Sequence, residues 1–232
     1  MSVRCGIVKA FAGMALNALA MMVTILCVAL AMAPAMAQDA QTAQPPGVNS
    51  GVTQGPDLAH GKALAYTCMG CHGVAGYRNA YPNYSVPKLE GQHPEYIIAS
   101  LQAYRAGQRS HATMAAQAAS LSDQDMADVA AYLAGKPLTD VPRAMPVAAP
   151  PPAVAVCAAC HGPGGVAVVP MYPNLAGQHG DYLAREIAEY KHGGRKNPVM
   201  TGLAATIRDE DVTALAAYYA SLKPALRTPA RP

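Results

Sequence analysis

CMGCH at residues 68–72 and CAACH at residues 157–161 place two cysteines and a histidine at the same spacing twice in one chain. The chain has 232 residues and 6 cysteines, and these two motifs hold four of them. Residues three and four apart on a helical turn share one side of the helix. Each motif can therefore present two thiols and one imidazole to the same bound group.

The repeat extends well beyond the cysteines. VPKLEGQHPEY at 86–96 aligns with YPNLAGQHGDY at 172–182, and LSDQDMADVAAYLA at 121–134 aligns with IRDEDVTALAAYYA at 207–220. From Pro87 and Pro173 onward the two copies keep a constant offset of 86 residues. Apolar residues recur at helical spacing in both copies, and no useful stretch alternates as a strand does. The sequence therefore predicts an all-α fold of two tandem domains.

The start of the chain has the composition of a targeting segment. Arg4 and Lys9 precede an apolar run at 10–33, and the small residues Ala35 and Ala37 then flank Met36. This is the order of regions in a secretory signal, so we expect cleavage after Ala37; an uncleaved membrane anchor is the alternative. The predicted segments are a signal peptide (1–37), a flexible segment (38–57), domain 1 (58–136), a proline-rich linker (137–153), domain 2 (154–224) and a C-terminal tail (225–232).

Removal of residues 1–37 changes the composition of the chain. Both remaining cysteine pairs then lie in the repeated motif, no Phe or Trp is left, and 15 basic residues face 14 acidic ones. A nucleic-acid-binding protein normally has a clear basic excess, so we exclude that class of partner. Two domains of under 100 residues with few large side chains also need something else to fill their cores.

Cys-x-x-Cys-His is the attachment pattern of a c-type haem, and a covalent macrocycle would fill such a core. A single zinc site made of four cysteines would leave both histidines unexplained. A redox disulfide lacks its βαβ surroundings, and two plain disulfides would each close a very short loop. The predicted thioether residues are Cys68, Cys71, Cys157 and Cys160, with His72 and His161 as proximal iron ligands.

The repeat also narrows the choice of the sixth iron ligand. Two pairs of candidates keep the offset of 86 residues: Met114 with Met200, and His93 with His179. The histidines follow a Gly-Gln pair in a turn that we expect at a surface corner. The methionines precede the last helix of each copy, so we favour them. Met126 aligns with a valine and is assigned to the core. Two closed His/Met sites suit electron transfer better than catalysis.

Two further pairs of residues are candidates for contacts around the haems. The carbonyls of Pro87 and Pro173 could accept a hydrogen bond from the proximal histidines, although each proline could equally be a simple turn residue. Arg109 and Arg195 precede the methionines by five residues. Each could bind a haem propionate or remain a solvated surface charge.

These motifs together resemble the dihaem cytochromes c of the cytochrome c4 family. The PKLEGQH and PNLAGQH turns, CHGPGG after the second motif and the closing AAYLA and AAYYA helices carry the resemblance. It implies two class I cytochrome c domains, each around one haem c with His/Met ligands. It also implies a periplasmic shuttle that feeds a haem-copper terminal oxidase. The prolines at 150–152 depart from the family, and they predict that domain 2 lacks a full first helix.

The expected function is therefore an electron carrier, not an enzyme, between a quinol-oxidising complex and a terminal oxidase. The alternative is a haem subunit or an enzyme, such as a dihaem peroxidase or a sulfur-compound oxidase, with one open iron site. Residues 38–140 have 6 basic and 8 acidic side chains, whereas residues 141–232 have 9 basic and 6 acidic ones. This difference in charge favours docking of the electron donor and the electron acceptor on different halves of the chain. The sequence is compatible with peripheral membrane contact and with a monomer or a homodimer.

Overall fold

The computed structural model describes residues 54–135 and 150–230, which we call the first repeat and the second repeat. The predicted signal peptide with its cleavage site, and nearly all of the predicted flexible segment and linker, lie outside the described residues. No helix in the described ranges is long and apolar enough to cross a membrane.

Both repeats are built from helices. The helices of the first repeat are α1 (Leu58–Leu64), a 3-10 turn (Cys68–Gly70), α2 (Pro94–Arg105), α3 (Ala112–Ala119) and α4 (Asp123–Ala134). The helices of the second repeat are α5 (Val154–His161), α6 (Gly180–His192), α7 (Pro198–Thr206) and α8 (Asp209–Ser221). Over the described ranges, β-structure is limited to isolated bridges, so the predicted all-α class is confirmed.

In the first repeat, α1 crosses α4 at very short range. A Cβ atom on Gly61 would lie 2.1 Å from the carbonyl oxygen of Asp128, so only glycine permits this approach. The carboxylate of Asp128, only 2% exposed, accepts hydrogen bonds from the backbone N–H of Asp57 and from Nδ1 of His60, both at 2.8 Å. The start of the first repeat is thereby fixed to its last helix.

Helix α4 begins and packs as its sequence indicates. Ser122 and Asp125 form the reciprocal capping box that satisfies the first backbone N–H groups of the helix. Met126 is completely buried and lies in the core with Val129 and Leu133, as its alignment with a valine predicted.

The second repeat starts differently. Residues 150–153 are not helical, and α5 begins only at Val154, so the predicted effect of the prolines is confirmed over the described part of this segment. Helix α5 then runs through the whole CAACH motif, whereas CMGCH lies on a 3-10 turn. Ala214, which aligns with the buried Asp128, is exposed.

The end of the chain joins the repeats instead of extending from them as a tail. Ala225 and Leu226 are fully buried, and both donate their backbone N–H to the carbonyl of Ala176. Arg227 then pairs with Glu90 of the first repeat through two backbone hydrogen bonds of 2.9 and 3.1 Å. Residues 225–227 therefore belong to the packed structure.

Candidate haem-binding sites

The histidine of each CxxCH motif is held by a proline carbonyl in its own repeat. Nδ1 of His72 lies 2.9 Å from the carbonyl oxygen of Pro87, and Nδ1 of His161 lies 2.9 Å from that of Pro173. A carbonyl only accepts, so Nδ1 carries the proton and Nε2 keeps its lone pair. Burial lowers the pKa of both imidazoles, which favours this neutral form. Each Nε2 is thus prepared to bind a metal.

The four motif cysteines are free thiols, each half-buried, so neither pair forms a disulfide. Burial raises the pKa of Cys68 and Cys157. Across the described residues, no three His, Cys, Asp or Glu side chains converge as a metal site. The single four-cysteine zinc site considered from the sequence therefore does not form, and each cysteine pair remains beside its own histidine.

Met114 and Met200 each occupy the third position of a helix, α3 and α7. The residue before each helix caps it: Nδ1 of His111 accepts from the N–H of Met114 at 3.3 Å, and Oδ1 of Asn197 accepts from that of Met200 at 3.0 Å. His111 and Asn197 keep the offset of 86 residues between the repeats, but neither residue was assigned a role from the sequence. Their spacing before a helical methionine was the available signal, because His and Asn can both accept from a helix N-terminus.

The Gly-Gln-His turns do not form surface corners, and this expectation was wrong. They lie between the repeats, where Gln92 and Gln178 are buried. His93 uses its Nε2 to hydrogen-bond the carbonyl of Ala167 in the second repeat at 3.1 Å. The polar groups of the two repeats are in contact here because Gln92 and Gln178 each extend from their own turn into the other repeat.

Arg109 and Arg195 are buried between the repeats, and neither is a solvated surface charge. Their side chains are 6% and 11% exposed. Arg109 stacks on Tyr104 of its own repeat at 4.6 Å from the ring centre and donates to the hydroxyl of Tyr182 across the interface at 2.6 Å. Arg195 makes the matching contacts, with Tyr190 at 4.6 Å and with Tyr96 at 2.8 Å.

Both guanidinium groups contact one carboxylate, that of Glu186. It lies 2.9 Å from Arg109 and 2.5 Å from Arg195. Burial works to raise the pKa of Glu186, but the two cations outweigh it and hold the pKa below its usual range. The aligned residue in the first repeat is Ser100. Two buried cations thus share one anion, an arrangement that can accept further negative charge, such as a haem propionate.

The residues present fit one covalent haem in each repeat. Two free thiols lie four and one residues before an imidazole whose Nδ1 is hydrogen-bonded and whose Nε2 is available. A capped helix presents a half-buried thioether in each repeat, and buried cations lie nearby.

Comparison with known proteins agrees with this geometry. The family model described as cytochrome c matches residues 58–136, and that described as cytochrome c oxidase, cbb3-type, subunit III matches residues 153–218. Cytochrome c4 of Azotobacter vinelandii is 32% identical over 190 residues, which cover 72% of this chain and 89% of the relative. The chain belongs to the cytochrome c4 family. It therefore has two cytochrome c domains, and its two cysteine pairs imply two covalent haems c.

Other relatives widen the comparison. The crystal structure of reduced cytochrome c4 from Pseudomonas stutzeri has a TM-score of 0.56 and 30% identity, covering 72% of this chain and all of that one. The thiosulfate dehydrogenase electron acceptor of Thiomonas intermedia is 47% identical over 78 residues, 33% of this chain and 36% of the relative. The match to cytochrome c4 of Thiocapsa roseopersicina likewise spans 34% of that protein. The cytochrome c4 relationship makes the chain an electron-carrier cytochrome.

Proposed function

We propose that this cytochrome shuttles electrons in the periplasm from a quinol-oxidising complex to a haem-copper terminal oxidase. The observation that carries the proposal is found in both repeats: a motif imidazole is fixed by a proline carbonyl, and a methionine lies at the capped start of a helix.

We assign the iron ligands by this arrangement. His72 and Met114 would bind the iron of the first haem, and His161 and Met200 that of the second. The bound haems would supply one-electron chemistry. A thioether ligand raises the reduction potential relative to a second histidine, as a carrier that feeds an oxidase requires. Thioether bonds would form to Cys68, Cys71, Cys157 and Cys160.

Arg109 and Arg195 would neutralise haem propionates at the boundary of the repeats. Glu186 contacts both guanidinium groups but brings one negative charge against two positive charges, so a propionate would complete the charge balance. Propionates of both haems would then lie near one shared cluster, and electrons could pass between the haems within one chain.

A second candidate donor is a thiosulfate-oxidising enzyme. A Thiomonas intermedia protein named thiosulfate dehydrogenase electron acceptor is 47% identical over 78 residues. A thiosulfate dehydrogenase structure from Marichromatium purpuratum also has a TM-score of 0.57 and 29% identity, although this chain covers only 40% of it. In this alternative the chain remains a carrier and receives electrons that come from thiosulfate.

The proposal is tested first by the state of the purified holoprotein. We expect its mass to include two haems and its spectrum to be low-spin in both oxidation states. A high-spin signal at rest, or turnover with peroxide or thiosulfate by the protein alone, would indicate an open iron site and an enzyme.

The donor is then tested by competition. The oxidised cytochrome would be mixed with membranes that contain a quinol-oxidising complex, or with a thiosulfate dehydrogenase and thiosulfate, and its reduction followed by stopped flow. Faster reduction by the membranes, followed by reoxidation with a terminal oxidase, supports the first candidate. Reduction only by the thiosulfate enzyme would replace it with the second.

A further inference from the structure

Gln92 and Gln178 are aligned residues of the two repeats, and each side chain enters the other repeat. They are 7% and 4% exposed. Buried amides need partners for both the donor and the acceptor group, and the partners here are backbone atoms of the opposite repeat.

Each glutamine binds both polar groups of a single residue. Oε1 of Gln178 accepts from the N–H of Lys88 and its Nε2 donates to the carbonyl of Lys88, both at 3.0 Å. Oε1 of Gln92 accepts from the N–H of Asn174 at 2.8 Å, and its Nε2 donates to the carbonyl of Asn174 at 3.1 Å. Lys88 and Asn174 are also aligned residues, so the two contacts are equivalent.

These contacts reach the proximal histidines through one peptide group. The N–H of Lys88 belongs to the same planar peptide as the carbonyl of Pro87, which accepts from Nδ1 of His72. The peptide of Pro173 and Asn174 joins Gln92 to His161 in the same way. Hydrogen bonds in series polarise one another, so an acceptor on the N–H makes the carbonyl oxygen a stronger acceptor.

We propose that Gln92 and Gln178 are positioning residues that act on the haem of the opposite repeat. Gln178 strengthens the hydrogen bond of His72, and Gln92 strengthens that of His161. A stronger bond makes the imidazole a more basic ligand and stabilises the oxidised iron. Each glutamine therefore lowers the reduction potential of the haem across the interface. This inference rests on the proposed assignment of His72 and His161 as iron ligands.

The test compares Gln178→Leu and Gln92→Leu in the holoprotein. Haem methyl resonances, assigned to each repeat by contacts with its own residues, would be followed through a redox titration. Gln178→Leu should favour reduction of the first-repeat haem by about twofold to threefold. This change corresponds to a rise of about 20 to 30 mV in reduction potential, since a tenfold change in the equilibrium constant corresponds to 59 mV for one electron. Gln92→Leu should shift only the second-repeat haem.

Two further measurements separate this role from simple packing. The Nδ1–H resonance of the affected histidine should move upfield, because its hydrogen bond weakens. Gln178→Glu keeps an acceptor for the N–H of Lys88, so the reduction potential of the first-repeat haem should not rise. This variant keeps the proposal testable if the leucine variant does not fold. Gln54→Leu, at an exposed position before the first helix, is the control that should shift neither haem.

The crossed pattern decides the outcome. The inference would be overturned if either leucine variant shifted the potentials of both haems equally, shifted the potential of the haem in its own repeat, or shifted neither potential. Any of these results with two low-spin haems would leave the proposed function in place. A wild-type protein without two low-spin haems would instead remove the proposed function itself.

Discussion

Both repeats contain the same histidine–proline hydrogen bond, but the segment that precedes the motif differs between them. In the first repeat, α1 packs on α4 and Asp128 is 2% exposed. In the second repeat, residues 150–153 are not helical and the aligned Ala214 is exposed. The bond from the motif histidine to its proline carbonyl is nevertheless 2.9 Å in both. The position of the motif histidine therefore does not require the leading helix of the first repeat.

The repeats also differ in charge at aligned positions. Lys88 donates its ammonium to the carbonyl of Gly177 at 2.5 Å, where Asn174 donates a neutral amide to that of Gly91 at 2.8 Å. The same hydrogen bond thus carries a positive charge only where its donor belongs to the first repeat. Nearby positive charge favours the reduced, less positive iron. Duplicated geometry with unequal charge can therefore give two haems of different potential.

The largest expected effect comes from the unmatched carboxylate of Glu186. Glu186→Gln leaves two buried guanidinium groups without their shared anion, and we expect a loss of about 3 kcal/mol in the free energy of unfolding. Chemical denaturation of the holoprotein measures this. Ser100→Ala at the aligned position should change little, because the Ser100 hydroxyl is buried without a partner among the described residues. A loss of less than about 1 kcal/mol for Glu186→Gln would show that the haem propionates alone neutralise both arginines and that Glu186 is not needed.

A smaller effect tests the helix crossing that only the first repeat has. Gly61→Ala would place a Cβ atom 2.1 Å from the carbonyl oxygen of Asp128 and force α1 away from α4. We expect a loss of about 1–3 kcal/mol, measured by thermal or denaturant unfolding.

The matched control for this crossing is Gly202→Ala in the second repeat. Gly202 lies inside α7, and no atom other than those of its chain neighbours and its own helix backbone lies within 4 Å of the position that its Cβ atom would take, so alanine should stabilise the helix. The expected gain is about 0.5–1 kcal/mol. If Gly61→Ala and Gly202→Ala changed the free energy of unfolding in the same direction, the difference in packing between the repeats would be contradicted.

The smallest effect is the pH dependence of the His60–Asp128 pair. The hydrogen bond to Asp128 raises the pKa of His60 above its ordinary 6.5, so its stabilisation is complete below that value and is lost as the pH rises through the raised pKa. Burial works to raise the pKa of Asp128, but its hydrogen bonds outweigh this and lower it below 3.8, so stabilisation is lost as the pH falls. The pair should stabilise most between these two ordinary values.

Unfolding of wild type and His60→Ala on both sides of the raised histidine pKa measures this dependence. The difference between the two proteins should be larger at about pH 5.5 than at about pH 9. Asp128→Asn, which keeps the shape but not the charge, should reduce that pH dependence, and a remainder should come from Asp125, whose carboxylate lies 3.8 Å from Nδ1 of His60. An equal difference at both pH values would contradict a role for the protonated imidazole.

Part of this structure follows from local sequence patterns. The helices, the capping box at Ser122 and the burial of Met126 follow from apolar periodicity and capping chemistry, which act over a few residues. The repeat offset also paired Pro87 with Pro173, whose carbonyls accept from the two motif histidines.

The interface between the repeats could not be predicted in this way. Gln92 binds a residue that lies 82 positions away, and Glu186 reaches Arg109 across the repeat boundary, so no local pattern encodes these contacts. The Gly-Gln-His turns were expected at the surface because they are polar. Their polar groups are instead satisfied by the backbone of the opposite repeat.

The proposed function requires that each repeat bind one haem whose iron is ligated by a histidine and a methionine. The most direct test is the sulfur-to-iron absorption band of the oxidised holoprotein at the red end of its spectrum. Met114→Ala and Met200→Ala should each remove about half of the band, since a thioether ligand is lost from one haem of two. The double variant should have no band. A wild-type protein without the band, or a double variant that keeps it, would contradict the account.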